Sequence, residues 1–236
     1  MQRNLFATHV SHLSQAETNI LLRQVYQWMM IGLLVSGLTA FMVAHSATLI
    51  HMIFGNPYMI WVLFFIEIGL VIAISAGIEK MDISTARVLF VLFSFIDGLT
   101  FGSIFLIYTA TSIATAFFIA ALTFGVMSLY GYFTDTDLDS WGNILFIGLI
   151  GIIIAMVVNF FLKSPVFEWW ISVIGIIVFV GLTAYDTQKI KALGEEMANE
   201  QGESLSRVAI VGALSLYLDF INLFILFLEF FGNQRE

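Results

Sequence analysis

The sequence contains no cysteine, and it has only two prolines among its 236 residues. The lack of cysteine excludes disulfide bonds, thiolate nucleophiles and metal sites built from thiolate ligands. Both prolines, Pro57 and Pro165, lie outside the interiors of the long apolar runs described below. The proline-broken spans that are common in secondary transporters are therefore not expected in this chain.

The chain is also poor in charge, because only 11% of its residues are charged and its net charge is −8. Nucleic-acid binding needs a basic surface and a polybasic lipid anchor needs clustered Lys and Arg, so neither is expected. The hydrophobic share is 60%, whereas about half is usual for a soluble domain. A globule of this size could not bury that excess, so the lipid bilayer is the expected solvent.

Seven apolar runs are long enough to cross a bilayer as helices, which takes roughly 20 residues each. They are Gln24–Ala44, Tyr58–Gly77, Ala86–Tyr108, Ile113–Phe133, Ile144–Phe161, Trp169–Tyr185 and Ala209–Phe231. Membrane β-strands would be about ten residues long with strict alternation, which these runs do not show. The sequence therefore predicts an all-α polytopic membrane protein, with an N-terminal segment over 1–23 and a seven-helix transmembrane domain over 24–232. Residues 1–23 lack a cleavable signal peptide, so the first span is expected to direct insertion.

Basic residues predict the orientation, because short cytoplasmic loops are enriched in Lys and Arg. If the N-terminus is cytoplasmic, only Lys163 and Arg235 of the nine Lys and Arg residues lie on the opposite side. We therefore expect the 1–23 segment inside the cell and the C-terminus outside.

The longest connection, Thr187 to Arg207, is polar, with a weak apolar stripe among four glutamates. Two interpretations fit this composition: a short interfacial or cytoplasmic helix, and a solvated linker. The linker is the preferred interpretation from the sequence.

Two glycine-bearing stretches suggest close helix contacts, because a missing side chain lets backbones approach. One runs from Gly98 to Gly102 and the other contains Gly148 and Gly151. Ordinary packing accounts for both without any functional role.

Five acidic residues fall within the predicted spans or directly after the last residue of one: Glu67, Asp97, Asp186, Asp219 and Glu229. Glu229 lies near the outer end of the seventh span and can reach the headgroups, whereas a charge at the other four positions is expensive. A carboxylate at the bilayer centre costs about 2.5–3.5 kcal/mol on insertion scales, so such a residue usually has a partner or a water path. No Lys or Arg lies in the middle of a span to neutralise them.

Asp186 and Asp219 are the candidate functional pair. They close the sixth span and occupy the seventh, and antiparallel neighbouring helices would bring the two side chains together. Two carboxylates in a poorly solvated site cannot both ionise cheaply, so they would titrate as a unit. Such a pair could sense pH, bind a cation or relay protons, whereas a protonated aspartate bonded to a neighbouring helix could be purely structural.

Polar neighbours accompany this pair in the sequence. Asn222 is three residues after Asp219 and shares its helix face. Lys80 and Lys189, at cytoplasmic span ends, are the nearest basic groups and either could extend inward to Asp186. Tyr217 and Ser215 lie near Asn222 in the seventh span, and the sixth span carries Thr183, Tyr185 and Thr187. This polar density suggests a wetted interior near the cytoplasmic side, and ordinary hydrogen bonding between helices is the alternative.

Enzymatic machinery is not recognisable in the sequence. The four histidines lie outside the span interiors, so the clustered His and carboxylate ligands of a membrane zinc hydrolase are missing. There is no Gly-x-Ser-x-Gly elbow and no phosphate-binding loop. We therefore expect a protein that is not an enzyme and that has no cofactor.

The seventh span, Ala213-Leu214-Ser215-Leu216-Tyr217-Leu218-Asp219-Phe220-Ile221-Asn222-Leu223-Phe224, resembles the signature of the Bax inhibitor-1 family of membrane proteins. The segment Val180-Gly181-Leu182-Thr183-Ala184-Tyr185-Asp186 is similar to its bacterial, inner-membrane branch, and Tyr185-Asp186-Thr187-Gln188-Lys189-Ile190 matches the close of its sixth span. The similarity runs from about Gln24 to Gly232.

This resemblance implies seven helices with the seventh at the centre, and a pH-sensitive calcium leak with a paired-aspartate sensor. Asp186 and Asp219 match that pair, and they are also the residues at which a calcium ion would bind. Glu67 matches an acidic residue that borders the pore. Asn222 is a further candidate for lining the pore or binding the ion. The family's basic latch is an arginine near the end of the second span; it is missing here, and Lys80 is the nearest substitute. Asp97 receives no role from the resemblance.

Three functional hypotheses follow. The first is a pH-gated cation (calcium) leak of the cell membrane, acting as a monomer. The second is a regulatory protein that works through membrane-protein partners, such as a quality-control protease, with structural aspartates. The third is proton-coupled transport of a small solute, which the lack of repeats and of broken helices disfavours.

Overall fold

The structure, a computed structural model, describes residues 2–197 and 203–235, with side chains from 18–197 and 204–235. Its elements are eight α-helices and one 3-10 turn, Ile78–Lys80. The helices are α1 (Gln2–Ala44), α2 (Ala47–Phe54), α3 (Pro57–Gly77), α4 (Ile83–Ile107), α5 (Ala110–Phe133), α6 (Asp139–Leu162), α7 (Pro165–Glu196) and α8 (Glu203–Phe231).

Seven of these helices are long and apolar enough to cross a membrane, namely all but α2. The prediction of seven spans is therefore confirmed, and the chain is an all-α polytopic membrane protein. The start of α3 agrees closely with the sequence. The Asn56 side chain accepts a hydrogen bond from the Tyr58 amide and caps α3, whose first residue is Pro57. Proline is tolerated there because the first helical N–H needs no partner within the helix.

The connection predicted between the sixth and seventh spans is wrong over most of its length. The sixth span does not end near Tyr185, because α7 continues to Glu196, and α8 begins at Glu203. The glutamates do not stop the helix, since Glu is a good helix former, and buried Ile190 and Gly194 give this extension a packed side. Residues 198–202 of the predicted linker lie outside the described residues. Helix α2 was also not predicted, because it is only eight residues long.

The seventh span is the most buried of the seven. In its most apolar window 72% of residues are buried, against at most 39% in any other span. A helix that is apolar all round and buried is enclosed by protein, as the family resemblance implies for the seventh span.

The chain divides into two compact units. Unit 1 comprises Met1–Leu106 and Ile190–Tyr217, and unit 2 comprises Ile107–Lys189 and Leu218–Glu236. Both α7 and α8 therefore contribute residues to each unit.

In unit 1, the glycines of α4 lie directly against α1. A side-chain carbon at Gly98 would be 2.6 Å from the Ser36 carbonyl oxygen, and one at Gly102 would overlap Val43. The close approach predicted for this glycine stretch is confirmed. It brings the buried polar residues of α1 next to those of α4.

In unit 2, glycines also set the helix spacing. Gly131 of α5 lies against the backbone of Ala184 in α7, and Gly142 of α6 lies against the Tyr185 ring. Gly148 contacts Val178, whereas no side chain or neighbouring helix among the described residues lies within 4 Å of a side-chain carbon at Gly151. The predicted contact at these last two glycines is thus confirmed for Gly148 alone.

The C-terminal residues of unit 2 are tied to the turn between α4 and α5. The Arg235 amide donates to the Ile107 carbonyl at 2.8 Å, and the Thr109 amide donates to the Asn233 carbonyl at 3.2 Å. An isolated antiparallel bridge joins Tyr108 and Gln234 between them. These bonds hold the chain end against the turn.

Tyr108 should make this tie sensitive to alkaline pH. Burial raises the pKa of the Tyr108 phenol above its ordinary value of 10.0, and the negative charges of Glu229 and Glu168 raise it further. The neutral phenol is favoured in the folded chain. The contribution of Tyr108 to stability is therefore fully present below pH 10 and is lost as the pH rises through the higher pKa of the folded state. Melting temperatures of detergent-solubilised protein from pH 8 to 12 should fall less steeply in Tyr108→Phe.

Tyr58→Phe is the matched control for that measurement, because the Tyr58 ring is 77% exposed. Its profile should follow that of the native chain. A Tyr108→Phe profile as steep as the native one would show that Tyr108 does not carry the alkaline sensitivity.

Candidate functional site: Asp186 and Asp219 in unit 2

Asp219 is a buried carboxyl on the most enclosed helix of the protein. It is 4% exposed, and it lies in the apolar run that makes α8 a membrane span. Its Oδ2 atom is buried and has no hydrogen-bond partner among the residues that the structure describes. A buried polar atom without a partner is costly, so such an atom in a native protein calls for a functional or solvent explanation.

Asp186, on α7, is the charged group that acts on Asp219 through space. Its side chain is half-buried. Asp186 thus lies near enough to Asp219 for its charge to act there, and both residues belong to unit 2. Neighbouring carboxyls in a poorly solvated place repel each other when both are ionised.

Lys189 supplies the positive charge near this pair. It acts electrostatically on Asp186, which is one helical turn before it on α7. The Lys189 ammonium also lies 5.7 Å from the centre of the Tyr185 ring, within the range of a cation–π interaction. Of the two lysines that the sequence offered as partners for Asp186, Lys189 is the one that acts electrostatically on it.

The hydroxyl groups beside Asp186 are satisfied by bonds within the protein. Thr187 donates to the Thr183 carbonyl at 2.8 Å, and its oxygen lies 3.1 Å from the Ser128 hydroxyl of α5. Thr183 in turn donates to the Phe179 carbonyl at 2.8 Å. These hydroxyls therefore make ordinary helical and interhelical hydrogen bonds. The wetted interior stays a prediction.

Asn222 shares the α8 face of Asp219, but its amide is used within its own helix. The Asn222 Nδ2 donates to the Leu218 carbonyl at 2.7 Å, one turn back. A side-chain donor in a helix readily bonds a backbone carbonyl of the preceding turn. The assignment of Asn222 to a pore or ion site thus remains a prediction.

Glu67 and Lys80 belong to unit 1. Glu67, on α3, is half-buried and accepts a hydrogen bond of 2.7 Å from the Thr100 hydroxyl of α4. This bond satisfies one oxygen of a carboxyl that the sequence placed in a span. Lys80 closes the short 3-10 turn after α3 and is exposed.

The pair is not a ready-made calcium cage. No group of three or more His, Asp and Glu side chains suited to holding a metal ion occurs within the part of the chain that the structure describes. Calcium takes six to eight oxygen ligands. Asp186 and Asp219 together have four carboxylate oxygens, so other groups or water would have to supply the rest.

Sequence reasoning missed a second buried acidic cluster, in unit 1. The Tyr217 hydroxyl of α8 and Asp97 Oδ2 of α4 share a short hydrogen bond, and the Ser36 hydroxyl of α1 lies 2.5 Å from the Tyr217 oxygen. Asp97 itself could be noticed in the sequence as a charged residue within a span. Its contact with Tyr217 and the contact of Tyr217 with Ser36 could not, because these residue pairs are 120 and 181 positions apart along the chain.

The family model described as "Inhibitor of apoptosis-promoting Bax1" matches residues 18–236. The chain belongs to the Bax inhibitor-1 family. The resemblance that the seventh span carries is thereby confirmed over nearly the whole length of the protein, and with it the assignment to a seven-span membrane fold.

Curated relatives within the Bax inhibitor-1 family cover the same length. Inner membrane protein YbhL of Escherichia coli K12 is 49% identical over 212 residues, which is 90% of this chain and 91% of the relative. An uncharacterized protein of Borreliella burgdorferi is 44% identical, with 92% and 94% covered. An uncharacterized membrane protein of Streptococcus pyogenes is 31% identical, with 94% and 96% covered. The sequence similarity thus extends over nine tenths or more of this chain.

Proposed function

We propose that this Bax inhibitor-1 family protein is a pH-sensitive cation leak of the bacterial inner membrane, and that Asp186 and Asp219 form its gate. The inner-membrane location follows the printed name of the Escherichia coli relative. The observation that carries the proposal is the buried Asp219 oxygen without a hydrogen-bond partner among the described residues, beside a second carboxyl.

The chemistry of the pair supports gating by protons. A single proton shared by Asp186 and Asp219 removes most of the repulsion between them, whereas two ionised carboxylates in this buried place repel strongly. Losing or gaining that proton therefore changes the force between α7 and α8 within unit 2. A ligand can shift a conformational equilibrium only through such a difference in interaction energy between two states, and here the ligand is the proton.

The remaining charged residues take supporting roles in this proposal. Lys189 balances the Asp186 charge when the pair is deprotonated and serves as the local basic partner, with Lys80 retained as a predicted latch. The family resemblance implies a pore-bordering role for Glu67, which stays a prediction. Calcium is the proposed permeant ion because carboxylate oxygens suit hard cations and because the family resemblance implies it. The protein performs no catalysis in this proposal.

Calcium flux into proteoliposomes, measured at a series of pH values, tests the gate. The native protein should conduct with a rate that changes across the range from pH 5 to 8. Asp219→Asn should flatten that dependence, because an amide cannot exchange a proton with Asp186. A change of tenfold or more between the pH extremes in the native chain should shrink to less than twofold.

Asp135→Asn is the matched control, since Asp135 is an exposed aspartate between α5 and α6. It should leave flux and pH dependence as they are. An unchanged pH profile in Asp219→Asn would refute the gate. A native protein without any flux, whose biological activity is lost on deletion of residues 2–20, would favour the partner-binding hypothesis instead.

A further inference from the structure

Three polar side chains meet in the interior of unit 1: Asp97 of α4, Tyr217 of α8 and Ser36 of α1. They are 7%, 0% and 1% exposed, respectively. The rings of Phe90 and Phe93 lie edge-on to the Tyr217 ring, with centres 6.2 and 5.5 Å away. The cluster is therefore enclosed by apolar side chains, and a charge inside it would be poorly solvated.

The cluster is a linear chain of three oxygen-to-oxygen contacts. The Tyr217 hydroxyl contacts Asp97 Oδ2 at one end, and the Ser36 hydroxyl lies 2.5 Å from Tyr217. Ser36 also lies 2.8 Å from the Gly32 carbonyl, one turn back on α1. Each contact at hydrogen-bond distance between oxygens needs one hydrogen between them.

Counting hydrogens decides the protonation state that fits this chain. With Asp97 ionised, the tyrosine and serine hydroxyls supply two hydrogens for three contacts, and one pair of oxygens repels. With Asp97 protonated, three hydrogens serve three contacts. Asp97 then donates to Tyr217, Tyr217 to Ser36, and Ser36 to Gly32.

The charge near Asp97 also favours the protonated form of its carboxyl. The charged group that acts on it is Glu67 of α3, a second acid. Glu67 is itself bonded to Thr100, which is three residues after Asp97 on α4. Among the described residues, no basic side chain is found to act on Asp97. Tyr217 is the other titratable group that faces Asp97, and its phenol is neutral when it donates or accepts here.

We propose that Asp97, Tyr217 and Ser36 form a second proton-binding site, in which Asp97 holds a proton at neutral pH. The bound proton completes a hydrogen-bond chain that joins α1, α4 and α8 within unit 1. Its loss leaves one contact without a hydrogen and a buried carboxylate beside Glu67. This site is independent of the proposed cation leak, because it rests on other residues and on contacts inside unit 1.

Infrared spectroscopy of the purified full-length protein in detergent at pH 7 tests the site. A protonated carboxyl has a carbonyl stretch that is separate from the bands of carboxylates and amides. The native chain should show such a band, which should shift on deuteration and disappear in Asp97→Asn. The band should remain in Asp219→Asn and in Asp135→Asn, so that a proton on the other pair cannot be mistaken for this one.

Tyr217→Phe provides a second readout that does not require removal of the carboxyl. Loss of the tyrosine hydroxyl should move the Asp97 carbonyl band to higher frequency, because its hydrogen bond is weakened. The exposed Tyr58→Phe should leave the band in place. If Asp97→Asn or Tyr217→Phe alters only carboxylate bands at pH 7, then Asp97 is ionised and the proposal is overturned.

Discussion

Replacing Asp219 by asparagine should make the protein more heat-stable at neutral and alkaline pH and should flatten the dependence of its melting temperature on pH. The reason is the position of the native carboxyl. It is 4% exposed, one of its oxygens lacks a partner among the described residues, and Asp186 acts on it. Ionising both carboxyls therefore works against folding, whereas an amide stays neutral and can donate to Asp186.

The expected gain is about 1–3 kcal/mol, the usual cost of an unsatisfied buried polar group. In a chain of this length each kcal/mol corresponds to a shift of roughly 2–4 °C in melting temperature. The sign follows from the repulsion: the native chain should lose stability as the pH rises and the second carboxyl gives up its proton. At acidic pH, where the pair is protonated, the two proteins should melt at similar temperatures.

Thermal unfolding of both proteins in one detergent, from pH 5 to 9, measures this effect. Asp135→Asn again controls for removal of a negative charge elsewhere, and its profile should run parallel to the native one. If Asp219→Asn is less stable than the native chain at every pH, the carboxyl makes a favourable contact in the folded state. The view of Asp219 as a strained, functional group would then be wrong.

If Asp219→Asn gains stability but loses the pH-dependent flux, then the Asp219 carboxyl is needed for the flux and not for folding. Residues held in unfavourable surroundings are commonly those that a protein keeps for its activity. A loss of both would indicate a structural aspartate. The same variant thus distinguishes the leak from the hypothesis in which the aspartates only support the fold.

Sequence reasoning located the spans well because the membrane leaves few alternatives. Every backbone polar group must be satisfied inside the bilayer, so a long apolar run has to be helical. The ends of the helices are less constrained, and α7 shows the consequence. Beyond Tyr185 the apolar signal fades into charged residues, yet the helix continues to Glu196 because buried Ile190 and Gly194 pack that extension.

The candidate pair could be predicted because a carboxylate in a span is conspicuous in sequence, and the family signature includes both aspartates. The contacts that surround the pair could not be predicted from the sequence. Whether Asn222 faces an ion or bonds the Leu218 carbonyl depends on a side-chain rotamer, and the Asp97 cluster depends on packing between residues distant in the chain. Such contacts leave no periodic pattern in the sequence.

Gly131 offers the sharpest test of how packing holds the site, because it is where α5 and α7 touch in unit 2. A side-chain carbon at Gly131 would overlap the backbone carbonyl oxygen of Ala184. A helix backbone cannot rotate away as a flexible side chain can, so Gly131→Ala must push the two helices apart. Ala184 is two residues before Asp186, and the nearby Ser128–Thr187 contact of 3.1 Å spans the same interface.

We therefore expect Gly131→Ala to destabilise the protein by about 1–3 kcal/mol, as overpacking of a core does. The matched control is Gly125→Ala on the same helix, where nothing lies within 4 Å of the added carbon. That substitution should be neutral, or stabilising by up to about 1 kcal/mol, because alanine favours helix over glycine. Melting temperatures of the two variants in detergent should move in opposite directions or differ by several degrees.

The functional consequence separates this prediction from a general loss of stability. Moving α7 away from α5 shifts the carboxyl of Asp186 relative to Asp219, and the repulsion between charges depends directly on their separation. Calcium flux should then change at a different pH in Gly131→Ala than in the native chain, whereas Gly125→Ala should keep the native profile. Equal melting temperatures and equal flux profiles in both variants would show that the α5–α7 contact does not position Asp186.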